Sequence, residues 1–276
     1  MLTEFQENLI AQQRAKNTIQ VYLKAIEQYQ SWYEESFSSK FICFSSDNVD
    51  EFISYLTDER NLDESSINLK LCALRQFEKF LVQNGIQDEK AITKLHNKKT
   101  QISDINPCKI IQEEVDDFRQ QILLQNGSRD FAIATIMAYA GLRVSEVTEL
   151  LLKNIDLTTR EIVVVGDGGK RRVVDIGDKV IDAVRQYLKK RQDSCNYLFV
   201  GKRKGKLNRS TINQIFSKCS EKITPNELRH FFCSHALEMG YSLAEVAYQA
   251  GHVSIQTTQR YINPVKRKMQ EKANLL

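Results

Sequence analysis

Residues 140–146 read Ala140-Gly141-Leu142-Arg143-Val144-Ser145-Glu146, a corner between two helices. Upstream, Phe131, Ile133, Ile136 and Met137 give an apolar helical run that ends at Gly141, a residue type that closes helices readily. Downstream, a new helix begins at Ser145. Such a corner exposes the guanidinium of Arg143. Taken alone, a Gly-Leu-Arg triplet is a solvated arginine near a helix start, so its meaning depends on what surrounds it.

Working outward, helical periodicity predicts elements over about 111–125 and 129–150. Two β-branched runs, Glu161 to Val165 and Arg171 to Ile176, flank Gly166-Asp167-Gly168-Gly169 and predict a hairpin. Helices are expected again over 178–191, 208–220, 225–239, 242–250 and 255–262. The helix at 225 has a credible start, with Thr224 at the N-cap and Pro225 at the first helical position.

The first hundred residues read as wholly helical. Ile19, Tyr22, Leu23, Ile26, Tyr29 and Tyr33 recur at three- and four-residue spacing behind Asn17, a candidate N-cap. Val49, Phe52, Ile53 and Leu56 suggest a second helix. Ile67, Leu71, Leu74, Phe77 and Leu81 follow Ser65 and Ser66 and stop near Gly85. From Gln87 to Pro107 the periodicity fades into a basic stretch with Lys94, Lys98, Lys99 and Thr100. The division expected is a helical domain over 1–86, a linker over 87–107 and a second domain over 108–276.

Composition agrees with two domains. A chain of 276 residues, 42% hydrophobic, is long enough for two cores. No stretch approaches the roughly 18 apolar residues of a membrane span, so a soluble, cytoplasmic protein is expected. Cys43, Cys72, Cys108, Cys195, Cys219 and Cys233 lie far apart, without metal-ligand spacing, and read as reduced thiols. Charge is uneven: residues 1–100 carry 12 Lys+Arg against 15 Asp+Glu, and residues 101–276 carry 27 against 20. Any field that attracts a polyanion is concentrated in the second part.

Two further segments complete the pattern begun at Gly141: Thr224-Pro225-Asn226-Glu227-Leu228-Arg229-His230, and Gly251-His252 running to Thr257-Thr258-Gln259-Arg260-Tyr261. In this order the three resemble the catalytic boxes of tyrosine recombinases, the family of phage integrases, Xer-type resolvases and transposon recombinases. The resemblance covers residues 130 to 265 closely. It implies a mainly α fold: an N-terminal helical, SAM-like core-binding domain, then a C-terminal mixed α/β catalytic domain with a small antiparallel sheet.

The chemistry explains the residue types. Phosphoryl transfer concentrates charge on non-bridging oxygens, so catalysis is positioning and electrostatic stabilisation. An arginine fork donates two parallel hydrogen bonds to a phosphate and keeps its charge. The resemblance implies that Arg143 and Arg229 hold the phosphate, that His252 donates to it, and that Tyr261 attacks it. A tyrosine hydroxyl has a pKa near 10 and needs positive neighbours or a base.

The family places a histidine three residues before the second arginine, where this chain has Asn226, which hydrogen-bonds but shuttles no proton. It places a lysine in the hairpin as general acid. Here Asp167 occupies the usual position, and Lys170 is the candidate, the alternative being that Lys170, Arg171 and Arg172 only contact DNA backbone. Glu146 either orients Arg143 or is an ordinary first-turn acid. His230 and His235, five residues apart, read as core or surface histidines. Lys98, Lys99, Arg171, Arg172, Lys202, Arg203 and Lys204 are expected to contact DNA phosphates.

The resemblance further implies a 3′-phosphotyrosyl intermediate and a Holliday junction, with neither metal nor nucleotide cofactor. It implies double-stranded DNA carrying specific recombination sites as partner, a homotetramer on paired sites, and no membrane. Two rivals stay open: a type IB topoisomerase-like enzyme, and a DNA-binding accessory factor whose boxes have decayed.

Overall fold

The computed structural model describes residues 1–93, 96–98, 110–166, 169–201, 205–252, 254–259 and 261. The chain forms two compact units that divide at Ile102 and Ser103.

The first unit is helical: α1 (Leu2–Ala11), α2 (Lys16–Phe37), α3 (Ser46–Ser54) continuing into a π-turn (Tyr55–Glu59), and α4 (Glu64–Gln83). Asn17 is not the cap of α2. Ala15 holds that place in extended geometry, and the helix has begun by Lys16. On α4 the cap is Asp63, whose carboxylate accepts the Ser66 amide at 2.9 Å. The core is aromatic, with Tyr29 packed against Trp32, Phe41, Phe44 and Phe52, and Phe5 edge-on to Phe77.

Residues 87–92, within the stretch expected to be linker, are tied to α4. Buried Glu78 accepts the Ala91 and Ile92 amides at 2.6 and 2.9 Å and the Gln87 amide at 3.2 Å. The Lys98 backbone exchanges two hydrogen bonds with the Asn68 side chain, at 2.9 and 3.0 Å. Lys94, Lys99 and Thr100 lie outside the described residues.

The second unit contains α5 (Gln112–Asn126), α6 (Ser128–Tyr139), α7 (Val144–Glu149), β1 (Ile155–Asp156), β2 (Glu161–Val165), β3 (Arg171–Asp175), α8 (Asp178–Lys190), α9 (Arg209–Cys219), α10 (Pro225–Glu238), α11 (Leu243–Ala250) and α12 (Ile255–Gln259). The three strands form one antiparallel sheet in sequence order, with Ile155 opposite Ile162 and Val163 opposite Val173. The helical span over 129–150 is divided at the Gly141 corner into α6 and α7. α6 is buried on nearly every face, from Phe131 to Ala138, so it forms the central pillar of this unit. A smaller cluster, Cys233, Ala236, Val246 and Ala250, joins α10 to α11 and seats the ring of Tyr261. Among the described residues, no helix is long and apolar enough to cross a membrane.

Candidate active site

The site grows from two glycine corners. Gly141 has φ +65°, and a β-carbon there would lie 2.2 Å from Cδ1 of Phe232. The bare backbone therefore presses on α10, and its carbonyl accepts a 2.5 Å hydrogen bond from Nη1 of buried Arg229. Gly251 ends α11 with φ +66°; its own amide donates to Tyr248 and the His252 amide to Ala247, a wrapped helix end that only a left-handed residue completes. A β-carbon on Gly251 would strike the Arg172 guanidinium at 2.6 Å. Gly141→Ala is expected to cost about 2–4 kcal/mol, combining left-handed strain with overpacking. Denaturant unfolding checks this.

The carbonyls left unpaired at the end of α11 are met by cations, as the helix dipole favours. Arg172 Nε donates to Gln249 O at 2.9 Å, and Arg143 Nη2 donates to Gly251 O at 2.6 Å. Both arginines then share one carboxylate. Arg172 donates to both oxygens of Glu146, at 2.7 and 3.0 Å, and Arg143 Nη1 donates to Oε1 at 3.0 Å. The second Glu146 oxygen also accepts the Arg143 amide at 2.7 Å, capping α7. Burial acts to raise the Glu146 pKa, but the Arg172 hydrogen bonds, the Arg143 amide and both positive charges hold it below the ordinary carboxylate value.

Two guanidiniums thus share one carboxylate, and the charge of a third, Arg229, is felt by the same group, an excess of positive charge. Burial, then the neighbouring Arg143 charge, lowers the Arg229 pKa to about 10. Burial, then Arg229, Arg143 and Arg172, lowers His252 to about 4. His252 is fixed by a 2.7 Å hydrogen bond between Nδ1 and the hydroxyl of fully buried Thr258. Its ring lies parallel to Tyr261, with centroids 6.5 Å apart.

A stability consequence follows. The unfolded histidine takes a proton near pH 6.5, and the folded one does not until about 4. Folding therefore benefits fully above about pH 6.5 and loses this contribution as pH falls toward 4. His252→Asn is expected to flatten unfolding free energy against pH across that window.

The structure brings Arg143, Arg229, His252 and Tyr261 into one unit around this cluster. Asn226 stands one helical turn before His230 on α10, its amide nitrogen 2.8 Å from Nε2. Nδ1 of the same imidazole is hydrogen-bonded to the Tyr261 hydroxyl. His230, expected to be an ordinary core or surface histidine, is thus in contact with the tyrosine oxygen. The only sequence signal was the four-residue spacing of Asn226 and His230.

The hairpin turn also reaches the cluster, since a β-carbon on Gly166 would lie 3.8 Å from Glu146 Oε1. Lys170 follows that turn with an exposed side chain that makes no ion pair among the described residues. Arg171 is exposed, whereas Arg172 is not the surface contact expected: its side chain is 10% exposed and spent on Glu146 and Gln249. Lys202, Arg203, Lys204, Asp167 and Arg260 lie outside the described residues, while Lys206 pairs with Glu149. Among the described residues no His/Cys/Asp/Glu cluster is arranged to hold a metal.

The geometry places an arginine cluster and two imidazoles beside a tyrosine hydroxyl. Residues 110–268 match the phage integrase family, and residues 1–88 match the phage integrase N-terminal SAM-like domain. The chain is 39% identical to TnP I resolvase of Bacillus thuringiensis, covering 99% of this chain and 98% of the relative. It is 30% identical to tyrosine recombinase XerA of Pyrococcus horikoshii, covering 98% and 91%. XerH site-specific recombinase bound to palindromic difH superposes with TM-score 0.76 at 19% identity, covering 92% of this chain and 78% of that one. The Tn1549 transposon integrase in complex with a circular intermediate DNA gives 0.73 at 15% identity, covering 98% of each. The chain belongs to the phage integrase family and is an enzyme of the tyrosine recombinase class.

Proposed function

We propose that this chain is a site-specific DNA recombinase that cuts and rejoins strands through a 3′-phosphotyrosyl bond to Tyr261 and a Holliday junction. The observation that carries the reading is the pair Arg143 and Arg172 on the single carboxylate of Glu146, with Arg229 held on the Gly141 carbonyl and Tyr261 beside His252.

Arg143, Arg229 and His252 hold the non-bridging oxygens of a DNA phosphodiester, neutralising charge as it accumulates. Tyr261 Oη attacks phosphorus, the P–O5′ bond breaks, and Lys170 protonates the departing oxygen. A 5′-hydroxyl from the partner duplex reverses the sequence and releases Tyr261. Glu146 and Arg172 position Arg143. Asn226 acts on the tyrosine through His230.

DNA as partner is supported by family membership and by the solved complexes of XerH and the Tn1549 integrase with their sites. Residues 1–86 are assigned as the core-binding domain, 87–107 as linker and 108–276 as catalytic domain. Lys98, Lys99, Arg171 and the run Lys202, Arg203 and Lys204 contact backbone phosphates. Four protomers assemble on paired sites in the cytoplasm to integrate, excise or resolve a mobile element.

The test is a covalent trap. The sequence protected by the protein beside its own gene is built into a duplex nicked so that the 5′-hydroxyl fragment diffuses away. A detergent-stable adduct whose peptide maps to Tyr261 is expected. The reading is sunk if no adduct forms. Relaxation of site-free plasmid without joining of duplexes would assign a topoisomerase activity instead.

A further inference from the structure

Asn226, three residues before Arg229 on α10, has no titratable proton. The attacking hydroxyl still has to lose one. Among the described residues, His230, on the turn of α10 that follows Asn226, is hydrogen-bonded to that hydroxyl, with ring centroids of His230 and Tyr261 5.6 Å apart.

We infer that His230 Nδ1 is the proton acceptor for Tyr261, and that Asn226 is the positioning residue that sets the tautomer of His230 through Nε2. The inference rests on Tyr261 being the nucleophile. It deepens that reading by naming the group that takes the nucleophile's proton.

Two arrangements of the exposed Asn226 amide give the imidazole opposite roles. With its nitrogen toward Nε2, the imidazole proton sits on Nδ1 and is donated to the tyrosine oxygen. A half-turn of the amide presents Oδ1 to Nε2–H and leaves the Nδ1 lone pair to accept from Oη–H. Attack starts from the second. Oη gives its proton to Nδ1 and its electron pair to phosphorus. The P–O5′ bond breaks, and O5′ takes a proton from the acid assigned to Lys170. The imidazolium, held by Asn226 Oδ1, returns its proton to Oη when the second strand displaces the tyrosine.

The charges facing His230 suit a base that starts empty. Arg229 on the same helix disfavours its protonation, Glu227 favours it, and His252 lies nearby after α11. Burial is the largest influence and, with Arg229, leaves the imidazole below its ordinary pKa, which favours the neutral form. A neutral imidazole accepts a proton without first losing one.

The experiment measures adduct formation by the full-length chain on the nicked duplex described above, with the scissile oxygen either natural or replaced by sulfur at the 5′-bridging position. Sulfur leaves without needing a proton, so it rescues a missing acid and not a missing base. His230→Gln is expected to slow the adduct about 100-fold on both substrates, as loss of a general base does, whereas Lys170→Ala is rescued by sulfur. In native protein the rate rises with pH and levels off above the imidazole pKa; in His230→Gln it keeps rising. Asn226→Asp moves that break to higher pH by favouring the imidazolium, and Asn226→Leu slows the rate about 10-fold while His230 is kept.

A His230→Gln rate within threefold of native, with Tyr261→Phe inactive, overturns the inference and leaves the nucleophile assignment standing. Rescue of His230→Gln by sulfur also overturns it, since the residue would then act at the leaving group. An adduct formed by Tyr261→Phe would instead defeat the nucleophile assignment itself. If His230→Gln melts below the native protein, the Asn226→Asp shift of the pH break decides: a break that does not move overturns the inference.

Discussion

Tyr261→Phe is expected to fold as the native chain does and to form no covalent adduct with DNA. The change removes one oxygen. The ring keeps its seat among Cys233, Ala236, Val246 and Ala250 and its parallel alignment with His252. The hydroxyl's hydrogen bond to His230 is lost, at a cost of about 1 kcal/mol. Loss of that contact is too small to unfold the unit, so melting temperature and DNA binding should stay close to native. The adduct should fall below detection, because a second tyrosine cannot substitute: Tyr248, exposed on α11, uses its hydroxyl oxygen to accept from the Val173 amide of β3 and lies outside the cluster formed by Tyr261, His230 and His252. An adduct that persists in this variant would show that another residue attacks.

Legibility in the sequence followed the range of the interactions. The Gly141 corner, the Thr224-Pro225 helix start and the Glu161–Val165 hairpin arm depend on neighbours a few residues away, and each stands where it is expected. The short strand Ile155–Asp156 escaped notice because two residues carry no periodicity. Asn17 was a reasonable cap by residue type, but the chain had already entered the helix, and cap preference alone does not fix a boundary.

Long-range pairings left no local trace. Arg172 reads as one of three basic residues after a glycine turn, and only folding brings it to Glu146, 26 positions earlier. Thr258 reads as part of a motif, and its role in fixing the His252 ring emerges only when it is seen buried. The contact of His230 with Tyr261 spans 31 residues. Residue types could announce a cluster of cations; which cation faces outward and which is consumed internally depends on burial.

Glu146 is where that internal consumption is most exposed to disruption. Glu146→Ala is expected to destabilise the second unit by about 3–5 kcal/mol, the scale for removing one partner of a buried ion pair. Two guanidiniums lose their shared acceptor at once: Arg172, 10% exposed, cannot turn to water, and Arg143 loses both its side-chain partner and the cap on its own amide. The native carboxylate is held ionised, so its contribution is full above its unfolded pKa and is lost as pH falls below it, at lower pH than the histidine window. Glu146→Gln should fall between, since it keeps the volume and an acceptor oxygen while dropping the charge. Unfolding by denaturant at neutral pH measures the loss. Added inorganic phosphate supplies a control on its cause. If the cost is unpaired positive charge, phosphate restores more stability to Glu146→Ala than it adds to the native chain; equal gains would mean that the carboxylate acts chiefly through packing.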